Sequence, residues 1–152
     1  MKTGFRLAVV LRLREMAEDA ARAKLGAAAA DYRKATEIVA KLHAREDEAR
    51  GRMLELQDGG GMAGDIVASV RGIEMAEQQT AIGRQALEIA ARALVDARSA
   101  LAEASRRREV VQRLRDRQRQ AEVLEAQRHE DSVLSELAGV RHARGLGAEK
   151  DQ

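Results

Sequence analysis

The chain has 152 residues, with one Tyr, one Phe, no Trp, no Pro and no Cys. So few aromatic side chains cannot supply an ordinary globular core, because each buries about 150–250 Å2. The 27 basic and 25 acidic residues nearly cancel, so net charge does not argue for a polyanionic partner, and the lack of cysteine excludes disulfides and thiol chemistry.

The first predicted element is a helix over about residues 5–57, which no proline interrupts. Its apolar residues alternate spacings of three and four, which is typical of the a and d positions of a helix packed along a partner. Only one member of the stripe, Glu46, is polar. The stripe comprises Leu25, Ala28, Tyr32, Ala35, Val39, Leu42, Glu46, Ala49, Met53 and Leu56.

Upstream of this stripe, Val10, Leu13 and Ala17 form a similar one. It reaches Leu25 through spacings of four, so a local unwinding of the repeat is expected. The apolar run of residues 7–11 is too short for the apolar region of a secretory signal. No stretch approaches the roughly 20 apolar residues that cross a bilayer, so we expect a soluble, cytoplasmic protein.

A glycine cluster at residues 58–65 ends the first helix. Glycine readily adopts positive φ, so four glycines in six positions allow the chain to reverse. We expect Asp65 to cap the following helix. This hinge, formed by Gly59, Gly60, Gly61 and Gly64, predicts an antiparallel hairpin. The alternative is a flexible linker between two unrelated helices.

The second predicted helix covers about residues 66–139. A clear three-four stripe comprises Ile66, Val70 and Ile73, followed by Leu87, Ala90, Leu94, Ala97, Leu101 and Ala104. A weaker continuation comprises Val111, Leu114, Gln118, Ala121, Leu124, Val133, Leu134 and Leu137. Glycines from residue 139 onwards predict the helix end and a flexible tail over residues 140–152.

Together these elements predict an all-α, single-domain, two-helix antiparallel coiled-coil hairpin whose second helix is the longer. Folding about residue 61 places residues whose numbers sum to about 122 opposite each other. Residues 118–139, about 30 Å of helix, then have no partner within the chain. An exposed apolar stripe usually marks an interface, although a second copy could cover it, or the segment could be partly unfolded.

Residues for catalysis, cofactor binding or metal binding are lacking. His43, His129 and His142 are far apart in sequence and form no metal-binding motif. The glycine cluster lacks the Gly-Lys-Ser/Thr ending of a phosphate-binding loop. We therefore predict a protein that is not an enzyme and has no cofactor.

Seven arginines lie between residues 106 and 119, distributed around the helix with Glu109 and Asp116 among them. A solvated helix face, a surface for an acidic protein cleft and a nucleic-acid site are the possible interpretations. Nucleic acid is the least favoured, because the segment has no aromatic side chain on which bases could stack.

The two ends of the chain resemble the flagellar export protein FliJ family. Members typically begin with F-x-L and continue with L-x-x-R-E-x-x-E-x-x-A-x-x-x-L, a pattern similar to Phe5–Leu7 and residues 10–25. The closing stretch, residues 128–138, is similar to the C-terminal helix of the family, with Ser135 in place of an aspartate before Glu136.

The resemblance implies a stalk that enters the hexameric ring of the export ATPase FliI, contacts the export gate protein FlhA and escorts export chaperones. It implies a monomer that reaches the cytoplasmic face of the inner membrane only through partners. The residues implied at the ring are Leu7, Val10, Leu11, Arg14, Arg115, Arg119, Leu124, Arg128, Leu134 and Glu136. Those implied at the gate are Ile66, Val70, Ile73 and Met75, although the aromatic residues of the family are absent there.

Other functions remain open from the sequence. They are a structural coiled-coil oligomer, the equivalent stalk of a virulence type III secretion system, and a basic helical nucleic-acid-binding protein.

Overall fold

The computed structural model describes the backbone of residues 2–148 and the side chains of residues 6–142. Two helices form this part of the chain: α1 spans Lys2–Asp58 and α2 spans Ala63–Ala148. The predicted all-α class with a longer second helix is confirmed. The chain divides into two compact units, a turn unit (Met16–Ser105) and a terminal unit (Met1–Glu15 with Arg106–Gln152).

The ends of α2 differ from the sequence prediction. Its first turn is closed by the Met62 carbonyl, which accepts hydrogen bonds from the backbone N–H groups of Asp65 and Ile66. Asp65 is therefore not the cap but a first-turn residue, where its carboxylate is favoured by the helix dipole. At the other end α2 continues past Gly139, since an isolated glycine costs a helix only about 1 kcal/mol. Of the predicted tail, residues 140–148 are helical and residues 149–152 lie outside the described residues.

The turn between the helices occupies residues 59–62. Gly60 has a φ of 70°, and the N–H of Gly61 donates to the Leu56 carbonyl oxygen at 2.8 Å. This hydrogen bond spans six residues and encloses a glycine in the left-handed conformation, so α1 ends in a Schellman motif. A β-carbon at Gly61 would lie 2.9 Å from the same oxygen, so both positions require glycine. Gly64, predicted as part of the hinge, already belongs to α2.

In the turn unit, α1 and α2 pack as an antiparallel pair. Arg50 donates a hydrogen bond to Glu77 at 2.8 Å, and Arg84 lies 3.2 Å from the His43 ring. Both pairs of residue numbers sum to 127, close to the predicted 122. Along α2, buried and half-buried residues occupy the a and d positions, with spacings that alternate between three and four residues. They are residues 66, 69, 73, 76, 80, 83, 87, 90, 94, 97, 101 and 104.

Polar side chains also occupy the packed positions of the turn unit. Glu46 is buried, as its place in the predicted stripe requires, and so are Glu18 and Thr80. Each has a partner: Ser105 donates to Glu18 at 2.8 Å, Arg50 lies 2.7 Å from Glu46, and Thr80 donates to the Ala76 carbonyl. A buried polar group without a partner would be costly, so these bonds make the polar residues compatible with the interface.

In the terminal unit, the shielded positions among the described residues follow the same alternation. The positions that follow it are Leu7, Leu11 and Arg14 in α1 and Arg108, Val111, Arg115 and Gln118 in α2, and Ala8 and Gln112 are half-buried beside them. The predicted stripe of Val10, Leu13 and Ala17 is wrong, because all three are exposed. Leu114, also predicted in the stripe, is exposed too. The expected unwinding is therefore absent from the described part of α1, whose repeat passes through the polar residues Arg14 and Glu18 instead.

Candidate functional site

The last part of α2 is exposed throughout its described length. Every residue from 119 to 142 lies in the exposed class, including large aliphatic side chains such as Leu124 (53% exposed) and Leu134 (64%). We call residues 119–142 the exposed segment; the sequence predicted an unpartnered segment at residues 118–139, from the difference in helix length. Contiguous exposed apolar surface of this kind is typical of a protein interface.

The exposed segment has its own heptad register. Continuing the a and d positions of α2 beyond Gln118 would give the polar residues Glu122, Glu125, His129, Ser132 and Glu136. Five aliphatic residues instead lie one position later, and Glu130 shares their register. The stripe is formed by Val123, Ala126, Glu130, Val133, Leu137 and Val140, and Leu124 and Leu134 lie outside it. The stripe keeps the three-four alternation. Its shift indicates a face for a partner other than α1.

The predicted ring residues fall into two groups. Leu7, Leu11, Arg14 and Arg115 occupy a or d positions of the terminal unit, and Leu11 is only 3% exposed. Leu11 is buried in the unit, and Leu7, Arg14 and Arg115 are half-buried. The exposed group comprises Val10, Arg119, Leu124, Arg128, Leu134 and Glu136.

The predicted gate residues also separate. Ile66 and Ile73 are half-buried a positions, whereas Val70 and Met75 are exposed. Sequence reasoning missed three exposed aliphatic residues near Met75, namely Ile38, Ile82 and Ile89. Met75, Ile82 and Ile89 recur every seven residues, so they lie on one side of α2 at c positions.

Ile38 is a g position of α1, and in an antiparallel pair the g positions of the two helices lie on the same side. The g positions of α2 beside it are uncharged and exposed: Gly72, Gln79, Ala86 and Ala93. Ile38, Met75, Ile82 and Ile89 therefore lie on one side of the turn unit, and we call these four residues the lateral face. They share this side with charged g positions of α1, namely Asp31, Arg45 and Arg52. A search for a second seven-residue repeat outside the a and d positions could have found it.

The opposite side of the turn unit carries charge. Its e positions include the Arg50–Glu77 bridge and the His43–Arg84 contact. The hydrogen bond to Glu77 and the charge of Glu46 raise the pKa of Arg50, so its guanidinium stays ionised. On this side the two helices are joined by contacts between their e positions.

Across residues 6–142, no group of three His, Asp or Glu side chains is placed to hold a metal ion. Recesses near residues 119–124 and 129–134 are open hollows lined by successive turns of one helix. Within the same range, no helix is long and apolar enough to cross a membrane.

Comparison with protein families gives one finding. The family model described as Flagellar FliJ protein matches residues 1–147. Searches among curated proteins and solved structures gave no significant match. The family match covers nearly the whole chain and both of its helices, so the chain belongs to the flagellar FliJ protein family, whose members are components of the flagellar export apparatus.

Proposed function

We propose that this component of the flagellar export apparatus acts as the central stalk of the hexameric export ATPase FliI. We further propose that it escorts export chaperones and contacts the export gate protein FlhA. The observation that carries the proposal is the exposed segment, whose aliphatic stripe is out of register with the hairpin. Such a stripe is consistent with burial inside another protein.

The ring contacts in this proposal come from side chains that are exposed in the terminal unit. Leu124 and Leu134 supply apolar area, and Arg119, Arg128 and Glu136 supply charges around them. Leu7, Leu11, Arg14 and Arg115 act indirectly, since they hold the two helices of the unit together. The stalk performs no chemistry itself. It favours particular conformations of the ring subunits by contacting them unequally, which is a coupling free energy between sites.

The gate contact in this proposal lies on the lateral face of the turn unit. Met75, from the predicted set, is joined there by Ile38, Ile82 and Ile89, which are all more than half exposed. Val70 is exposed nearby in sequence. Ile66 and Ile73 support the face from the packed side of α2. The chemistry favours an amphipathic helix as the partner element, because helices commonly place an apolar side into such a surface.

Two double variants test the ring contact and the gate contact separately. Val133→Asp with Leu137→Asp, at two positions of the aliphatic stripe, should weaken binding to purified FliI roughly thirty-fold or more, since a charge placed at an apolar contact costs about 2 kcal/mol or more. It should leave binding to the cytoplasmic part of FlhA unchanged. Ile82→Asp with Ile89→Asp should do the reverse.

All four positions are exposed, so each double variant serves as the folding control for the other. Binding is measured by surface plasmon resonance, and ATP hydrolysis by FliI is followed with and without the protein. Equal binding of all variants to FliI, or an unchanged rate of ATP hydrolysis on adding the wild type, would rule out the stalk. A wild type that binds only itself would favour the coiled-coil scaffold.

A further inference from the structure

Glu130 lies in the middle of the aliphatic stripe of the exposed segment, at the equivalent of an a position. Two glutamates of the turn unit, Glu18 and Glu46, also occupy a positions, and both are buried. Each has a compensating donor: the Ser105 hydroxyl donates to Glu18 at 2.8 Å, and Arg50 lies 2.7 Å from Glu46. Where this chain places a glutamate between two helices, it also supplies a donor.

No such donor reaches Glu130 within the described part of the chain, where its carboxylate has neither a hydrogen bond nor an ion pair. Leu134 stands four residues later, at the place that Arg50 holds relative to Glu46, and it cannot donate. The Glu130 side chain is exposed, so water solvates its charge in the free protein. A helix packed along the stripe would remove that water, and a shielded charge without a partner is strongly destabilising. The covering helix therefore has to bring a donor of its own.

The flanks of the stripe carry charge of the same sign as Glu130. When the stripe residues are taken as a and d, the g positions beside them are Glu122, His129 and Glu136, and the e positions are Gln120, Gln127 and Leu134. Glu122 accepts a hydrogen bond from the neutral Gln118 amide at 3.0 Å, which leaves its charge in place. Arginines of the same register, Arg119 and Arg141, lie beyond the two ends. Over residues 120–140, the stripe and its flanks thus present three carboxylates and no arginine or lysine.

Two copies of this chain are poorly suited to cover each other's stripes. In a parallel pair, Glu130 would face Glu130 of the second copy, and like charges at a packed position are unfavourable. In an antiparallel pair centred on the stripe, Glu130 would face Val133 and would still lack a donor, while Glu122 would lie beside Glu136 at the flank. The carboxylates therefore select against a second copy as the partner.

We propose that the exposed segment is covered by a basic amphipathic α-helix of another protein, which places a lysine or arginine opposite Glu130 and further cations beside Glu122 and Glu136. The three-four stripe fits a helix, because a partner helix inserts its side chains at the same spacing. A charge-assisted hydrogen bond from the cation compensates the shielded carboxylate. The inference rests on the proposed function in treating the exposed segment as an interface, and it adds the chemistry of the element that binds there.

Replacement of Glu130 tests the part of the inference that concerns self-association. Glu130→Leu makes the stripe aliphatic throughout, so two copies should associate roughly tenfold or more tightly than the wild type. Glu125→Leu, at an exposed position outside the stripe and its flanks, is the matched control and should behave like the wild type. Sedimentation equilibrium gives the dissociation constants of the full-length proteins. Equal behaviour of the two variants, or a wild type that self-associates and is dissociated by Val133→Asp, would overturn the inference.

Two designed helical peptides test the charge of the partner. Both are about three heptads long with leucine at a and d, and they carry either lysine or glutamate at one central packed position and at the e and g positions. The full-length protein should bind the lysine peptide roughly tenfold or more tightly than the glutamate peptide in fluorescence anisotropy. Glu130→Lys should reduce this preference roughly tenfold, whereas Glu125→Lys, the same change of charge outside the stripe, should keep it. Equal binding of the peptides, or a preference for glutamate, would contradict a basic partner.

Binding to purified FliI, measured on the same proteins, separates this inference from the stalk proposal. If Val133→Asp with Leu137→Asp loses FliI binding while the wild type binds both peptides equally, the basic partner is wrong and the stalk stands. If the wild type prefers the lysine peptide but does not bind FliI, the stalk is wrong and a basic helix of another protein is supported. Circular dichroism checks that each variant keeps its helices.

Discussion

Gly83 occupies a d position of α2 where a side chain would collide with α1. A β-carbon there would lie 2.6 Å from Cδ1 of Leu42 and 3.5 Å from Cγ2 of Val39. Ordinary carbon contacts are about 3.5–4.0 Å, so Gly83→Ala forces Leu42 to move by about 1 Å. Alanine gains about 1 kcal/mol in helix propensity, whereas overpacking costs about 1–3 kcal/mol. We therefore expect Gly83→Ala to lower the free energy of unfolding by about 0–2 kcal/mol.

The matched control is Gly72→Ala in the same helix. A β-carbon at Gly72 would meet nothing within 4 Å, so we expect this variant to gain about 1 kcal/mol of stability from propensity alone. In a Leu42→Ala background the collision disappears, and Gly83→Ala should then also stabilise by about 1 kcal/mol. The coupling energy between positions 42 and 83 is thus about 1–3 kcal/mol.

Urea unfolding followed by circular dichroism gives the four free energies of this double-mutant cycle. The close approach at Gly83 would be refuted if the two glycine substitutions stabilised the wild type equally. It would also be refuted if the changes at 42 and 83 were additive within about 0.5 kcal/mol.

Three further predictions concern the turn between the helices, a buried hydroxyl group and a buried leucine. Gly60→Ala should cost about 1–2 kcal/mol in thermal unfolding because Gly60 is left-handed, and Gly64→Ala should cost nothing similar, because its β-carbon meets open space. Thr80→Val should raise the free energy of unfolding by about 1 kcal/mol, since the buried hydroxyl bonds only to the Ala76 carbonyl of its own helix; a decrease would show that this bond stabilises the fold. Leu11→Ala should cost about 2–4 kcal/mol and speed hydrogen exchange of residues 6–15, whereas Leu13→Ala, at an exposed position, should leave exchange unchanged.

The two helices, their reversal at the glycines and the exposed end of α2 were all predictable from the sequence. Each depends on local signals: the three-four spacing of aliphatic residues, the glycine cluster and the difference in helix length. The residues that pack between the helices near the start of α1 were harder to predict. The stripe of Val10, Leu13 and Ala17 matched the expected composition, yet the packed positions there include Arg14 and Glu18.

The reason is that burial in a two-helix pair follows register more than hydrophobicity. Once a turn and many apolar layers fix the alignment, a polar residue at an a or d position is carried into the interface and must find partners, as Glu18 does with Ser105. Conversely, aliphatic residues at c and g positions remain outside. The lateral face arises in this way, from c and g positions that the predicted a and d stripes leave outside.

The contact between Ser105 and Glu18 joins positions 87 residues apart in the chain. Sliding one helix along the other by a single heptad would displace these groups by about 10 Å and break their hydrogen bond. The register of the two helices in the turn unit is therefore marked by a polar contact far along the chain from the glycines, as well as by the turn itself.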